Sequence, residues 1–247
     1  MLSKTHAKYI QSFHHKKNRD QAGVFIAEGT RLVTDLLQTS VLTCLELWAL
    51  PAFFEKMDPA IRAAIQVTGE VNELQLKQLS MQQQPQEVLA IFKQKPGTEF
   101  DASNQISLLL DEIQDPGNLG TIIRLADWFG IQNIICTPGT ADCYNPKVVQ
   151  STMGSLARVN IYYCANPEEW LQRQEATPRL SAMLEGTPLQ ELTGIKAAIL
   201  MIGNEGRGLS KNLADLSHQK ITIPRRGGAE SLNAAVATGI ILSQLCR

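Results

Sequence analysis

No long apolar run occurs in this chain of 247 residues: the longest, Ala197 to Ile202, has six, where a membrane-spanning helix needs about 20. The basic N-terminus is followed by no apolar stretch of the kind that makes a secretory signal, so the expected setting is the cytoplasm, away from membranes. Cysteine is scarce and unpatterned. Five residues (Cys44, Cys136, Cys143, Cys164 and Cys246), with no Cys-x-x-Cys and only four histidines beside them, fit neither a disulfide framework nor a structural zinc site. No metal is expected. Charge of one sign is not in excess either: 23 basic residues stand against 24 acidic ones, so bulk electrostatics do not announce a nucleic-acid binder. What is present is an ordinary globular composition, 44% hydrophobic and 19% charged, which excludes wholesale disorder and allows one large domain or two modest ones.

The local distribution of charge says more than its sum. Lys4, Lys8, Lys16, Lys17 and Arg19 all precede the first acidic residue, Asp20, and Arg225 and Arg226 form a second basic cluster. Each is either a solvated face or a phosphate-contacting one. A stretch of turn formers, Lys95 to Asn104, reads as a seam between two parts, with residues 97–105 as the linker. Residues 1–96 read as a small α/β domain, with a polar helical arm, strands at Val24–Ala27, Leu42–Leu50, Ile65–Thr68 and Val88–Phe92, and an amphipathic helix from Arg31. Residues 106–247 alternate apolar strands with helical patterns, which predicts an α/β fold with a mainly parallel sheet covered on both faces. One of those helices is expected around Lys147–Leu156. The last carries a stripe of Leu232, Ala235, Val236, Gly239, Ile240 and Leu245.

Ligands of such sheets bind beyond the carboxyl ends of the strands, and three loops stand there. The first is Asp115-Pro116-Gly117-Asn118, opening a helix that Gly130 can end, with Asn118 suited to cap it. Leu119, Ile122, Ile123, Ala126 and Phe129 form its apolar face. Gly120, Arg124 and Asp127 fall opposite, so Arg124 is displayed, either toward a ligand or toward Asp127 in an ordinary i, i+3 pair. The second runs from Gly203 through Asn204, Glu205 and Gly206 to Gly208 and Ser210, three glycines in six residues and a carboxylate at a strand end. Its G-x-x-G-x-G order is the reverse of a dinucleotide fingerprint, which disfavours a nucleotide-dependent oxidoreductase. The third joins Ile223, Pro224, Arg225 and Arg226 to Glu230, Ser231, Leu232 and Asn233, where Ser231 either caps the last helix or meets a ligand. Three polar glycine loops beside helices fit one composite pocket.

These loops carry a resemblance. N-x-G-x-x-x-R in the first, G-N-E-G-x-G-L-S in the second and I-P followed by E-S-L-N in the third are similar, in order and separation, to the signature motifs of the SpoU (TrmH-type) RNA ribose 2′-O-methyltransferases. The resemblance covers about residues 105–247. More loosely, Phe25 to Gly29 resembles that family's N-terminal RNA-binding domain. It implies a trefoil-knotted domain and a homodimer. It also implies S-adenosylmethionine held by Gly203, Asn204, Ile223, Pro224 and Leu232, and transfer of its methyl group to a ribose 2′-hydroxyl, in ribosomal RNA before transfer RNA. It assigns catalysis to Arg124, with Asn118, Glu205, Ser231 and Asn233 orienting the reacting groups. Arginine keeps its proton, so phosphate clamping is its physically safer role. RNA phosphates would meet Lys16, Lys17, Arg19, Arg225 and Arg226. Two positions depart from the family pattern: Glu87 stands where glycine is common, and Arg225 where an apolar residue is common. The alternative to an enzyme is an RNA-binding protein that keeps the fold without catalysis.

Overall fold

The computed structural model describes residues 2–246, which form two compact units: residues to Lys95 with Tyr144–Ala157, and Pro96–Cys143 with the chain from Arg158 onward. Among the described residues no helix is long and apolar enough to cross a membrane.

The first unit opens with helices α1 (Lys4–Ser12) and α2 (Lys16–Ala22). There follow β1 (Val24–Glu28), α3 (Thr30–Leu37), β2 (Cys44–Ala49), α4 (Pro51–Glu55), α5 (Pro59–Ala64), β3 (Val67–Glu70), α6 (Glu73–Leu79) and β4 (Val88–Lys93). Its sheet has the order β1-β4-β2-β3, with β4 antiparallel to both neighbours and β2 parallel to β3. Every residue of β1 is buried. Alternation sends Val24 and Ile26 into a core with Ile10, Phe13, Leu76 and Leu79. The opposite side, led by Phe25, therefore needs cover of its own.

The second unit begins with β5 (Ile106–Leu110), α7 (Pro116–Trp128) and β6 (Asn133–Cys136). The chain then contributes α8 (Pro146–Thr152) to the first unit, packed on β1, with Tyr144 stacked on Phe25 at 5.0 Å between ring centroids. The helix expected around Lys147–Leu156 thus exists but serves the unit that precedes it in sequence. The second unit resumes with β7 (Asn160–Tyr163), α9 (Pro167–Arg173), β8 (Arg179–Pro188), β9 (Ala198–Ile202), α10 (Lys211–Asp215), β10 (Gln219–Thr222) and α11 (Ala234–Leu245). The six strands pair in the order β10-β8-β9-β5-β6-β7, all parallel.

The expected linker is packed into this unit. Thr98 N–H donates to Asn160 at 3.0 Å, Phe100 lies against Trp170 at 5.4 Å, and Ala102 is fully buried. Gly97 lies so close to the Ile161 carbonyl that a Cβ would stand 1.8 Å from its oxygen. Tight packing is why turn-forming composition does not make a tether here.

Two helix faces differ from expectation. Gly120 is buried on α7. On α11 the buried residues are Ala234, Ala235, Thr238, Ile241, Leu242 and Leu245, whereas Leu232 just before it and Val236 and Ile240 on it are exposed. A helix apolar nearly all round has no periodic contrast to mark its inner side.

Candidate active site

In the second unit β5 and β9 lie side by side, with Leu110 opposite Ile202 at their carboxyl ends. The chain order reverses here, since β6 and β7 follow on one side of β5 while β9, β8 and β10 lie on the other. This is the crevice at which open parallel sheets bind ligands.

Pro116 takes the first helical position of α7, where a missing N–H costs nothing. The cap is therefore Asp115, whose carboxylate accepts from Asn118 N–H at 2.8 Å, and not Asn118 as expected. Inside the first turn, Asn118 has its side chain free for tertiary contacts. Its Nδ2 donates to Glu205 Oε1, and its Oδ1 accepts from Asn233 Nδ2 at 2.8 Å. Asn233 in turn caps α11, its Oδ1 accepting from Ala235 N–H at 3.0 Å and Val236 N–H at 3.2 Å. The amide orientation at Asn118 is dictated, because a carboxylate accepts only. One chain of hydrogen bonds thus joins all three loops.

The loop after β9 doubles back on itself. Asn204 N–H donates to the Gly208 carbonyl at 3.1 Å and the Asn204 carbonyl accepts from Gly208 N–H at 2.8 Å, while Asn204 Oδ1 accepts from Gly206 N–H at 2.9 Å. A Cβ on Gly203 would meet the Gly208 carbonyl carbon at 2.2 Å, and Gly208 has φ +70°. One glycine is required by close approach and the other by a left-handed backbone.

The remaining expected residues divide. Arg124 is exposed on α7 and, among the described residues, has no hydrogen-bond or ion-pair partner. The i, i+3 pairing is absent because Asp127 pairs with Arg158 at 2.8 Å. Ser231 is exposed and caps nothing, Asn233 being the cap. Ile223 is half-buried, while Pro224 and Leu232 are exposed. Arg226 is exposed, and Arg225 Nη1 donates to the Ala229 carbonyl at 3.2 Å. From Arg225 to Leu232 that carbonyl is the only backbone group with a hydrogen bond among the described residues. In the first unit Lys16 and Lys17 are exposed, Lys16 pairing with Asp20 at 2.6 Å. Arg19 is a correction. It is 1% exposed and donates to the carbonyls of Phe13 and His14, both at 2.9 Å, so it stitches the α1–α2 corner and is withdrawn from RNA contact.

The motif reading missed Asp111, Glu112 and Thr137, which sit directly beneath the loop after β9. Asp111 is 5% exposed, and its carboxylate accepts from Ser210 N–H at 2.7 Å and Thr137 Oγ1 at 3.1 Å. An acidic residue directly after the apolar run Leu108–Leu110 was the signal available in the sequence.

Comparison with known proteins bears on this geometry. The SpoU rRNA Methylase family model matches residues 105–243, and the MRM3-like substrate binding domain matches residues 4–90. A 23S rRNA (guanosine(2553)-2′-O)-methyltransferase, RlmP of Bacillus subtilis, is 28% identical over 240 residues, spanning 95% of this chain and 93% of that one. An rRNA methyltransferase from Sinorhizobium meliloti with AdoMet bound is similar in structure, with TM-score 0.88, 32% identity, and 99% of this chain and 96% of that one covered. A TrmH-family protein from Porphyromonas gingivalis has TM-score 0.89 and 36% identity over 99% of this chain and 98% of that one.

Proposed function

The chain belongs to the SpoU rRNA methylase family, and on that premise we propose that it transfers a methyl group from S-adenosylmethionine to a ribose 2′-hydroxyl of structured RNA, with ribosomal RNA as the substrate class. The observation that carries the reading is Asn118, hydrogen-bonded to both Glu205 and Asn233 beside the freely displayed Arg124.

The residues present fit the cofactor. Unpaired backbone groups from Arg225 to Leu232, the glycine-closed turn at Gly203, and the apolar side chains of Ile223 and Leu232 offer hydrogen bonds and apolar faces to an uncharged base and ribose. Gly203, Asn204, Ile223, Pro224 and Leu232 are the residues we assign to holding it. When bound, it supplies an electrophilic methyl on a sulfonium, whose sulfur keeps the bonding electron pair.

The protein's task is to aim one hydroxyl, whose proton would pass to solvent water as the carbon–oxygen bond forms. Arg124, permanently charged, clamps the neighbouring phosphate and stabilises charge gathering on the 2′-oxygen. Glu205 Oε1 is occupied by Asn118, which leaves Oε2 to accept from the ribose. Ser231 and Asn233 complete the ribose and phosphate contacts. Lys16, Lys17, Arg225 and Arg226 supply further phosphate contacts.

The family's knotted threading of the C-terminal segment and its homodimeric assembly belong to the same proposal. Exposed Val236 and Ile240, with Trp128 of α7 80% exposed, support an apolar surface that a second copy covers. The test is calorimetric titration with S-adenosylmethionine against NAD, then labelled methyl transfer onto total RNA with ribose-methylation mapping. Binding and transfer to a 2′-oxygen is expected; binding without transfer to any RNA would favour the non-catalytic RNA-binding reading.

A further inference from the structure

We propose that Asp111 is a positioning residue that clamps both ends of the Gly203–Ser210 loop and so sets its affinity for the cofactor, an inference that rests on the cofactor reading above. Asp111 is the first residue beyond β5. Its backbone N–H donates to the carbonyl of Ile202, where the loop begins, at 2.8 Å, and its carboxylate takes Ser210 N–H, where the loop ends, at 2.7 Å. One residue just past the neighbouring strand therefore fixes the entrance and the exit of an eight-residue excursion.

The carboxylate is nearly buried and has no cationic partner among the described residues, the Arg207 guanidinium lying instead 3.4 Å from Glu112. A buried anion without a counter-ion is costly unless hydrogen bonds satisfy it, and here they come from one loop amide and from the hydroxyl of Thr137 at the end of β6. Thr137 Oγ1 in turn accepts from Glu112 N–H at 3.0 Å. Glu112 adopts φ +51°, a conformation non-glycine residues rarely take, and its carbonyl accepts from Asn204 Nδ2 at 2.9 Å. The Asp111–Glu112 pair thus holds the loop at its start, at Asn204 and at its end. The turn carrying Gly203 and Glu205 is preset by two residues outside the motifs, through two backbone groups and one carboxylate.

The test uses the full chain and the variants Asp111→Ala, Asp111→Asn, Thr137→Val and Thr137→Ser, titrated calorimetrically with S-adenosylmethionine. Hydrogen exchange of residues 203–210 is followed without any ligand. Asp111→Ala should raise Kd tenfold or more and speed exchange of the Ser210 amide, while the amides of β5 and β9 stay protected. Asp111→Asn, which keeps one acceptor, should lose less. Thr137→Val should weaken binding several-fold, and Thr137→Ser, with its hydroxyl retained, should restore it. Unchanged loop exchange and Kd in Asp111→Ala and Thr137→Val would overturn the proposal, as would losses that accompany faster exchange throughout the sheet. If the unaltered protein bound no S-adenosylmethionine, the functional reading would fail instead, and the ligand-free exchange would still decide whether the clamp exists.

Discussion

The side-chain amide of Asn118 donates to the carboxylate of Glu205, a residue 87 positions later in the chain. The contact links the loops after two adjacent strands and orients the acid, leaving one carboxylate oxygen for a ligand. A hydrogen bond to a charged group is worth about 1.5–3 kcal/mol, so a double-mutant cycle of Asn118→Ala and Glu205→Ala on methyl transfer should show strong coupling. Asn118→Asp should fall below Asn118→Ala, because it sets a second carboxylate against the first.

Arg124→Ala should lower kcat for methyl transfer by about 10²–10³-fold, the scale seen when a group stabilising developing charge is removed. S-Adenosylmethionine affinity should stay unchanged by calorimetry. Arg124→Lys should not restore the rate, since a point charge does not reproduce the planar fork of a guanidinium. Near-native rates in Arg124→Ala would displace it from the site.

Replacing Arg225 and Arg226 together by alanine should make RNA binding less sensitive to salt. Each lost phosphate contact lowers the log–log slope by about 0.7–0.9, so titrations between low and moderate salt should show a slope shallower by up to about 1.8. An unchanged slope would remove both from the RNA surface. Arg19→Ala should instead lower the melting temperature, because it leaves the Phe13 and His14 carbonyls without their donor in a buried corner.

A charged residue in place of Trp128 or Val236 should turn a dimer into a monomer in sedimentation velocity without unfolding it, since both side chains already face outward. A monomeric parent protein would reject the assembly outright.

Burial in the first unit pushes the Glu28 carboxyl above its usual range, against the pull of hydrogen bonds from Ser80 and Met81. The folded state therefore binds this proton more tightly than the unfolded chain, and stability falls as pH rises from the ordinary carboxylate value through the raised one. Melting temperatures should show Glu28→Gln gaining on the parent protein across that window. A constant difference would mean that Glu28 titrates alike in both states.

Most of the strands were legible because each is a short apolar run bounded by turn formers, and the three loops at strand ends named in the sequence are joined by hydrogen bonds in the fold. What escaped had physical reasons. Asp115 and Asn118 are both good caps, and Pro116, fixing the residue before it as the cap, was the decisive cue. The inner face of α11 could not be read from a helix with apolar residues on every side. Arg19 looks like any surface cation until the α1–α2 corner brings two carbonyls to it. Asp111 carries no motif, and only folding sets its carboxylate beside Ser210.

The division of the chain between its units bears on how it folds during synthesis. The side of β1 carrying Phe25 is covered by Tyr144 and α8, which lie far downstream. A segment ending at Lys95 would therefore hold a strand whose Phe25 side has α3 but lacks Tyr144 and α8, and 62 further residues must follow before Ala157 completes the first unit. At about 5–20 residues per second that delay is roughly 3–12 s, during which the nascent N-terminal segment presents the Phe25 ring without its later cover to any partner or chaperone within reach.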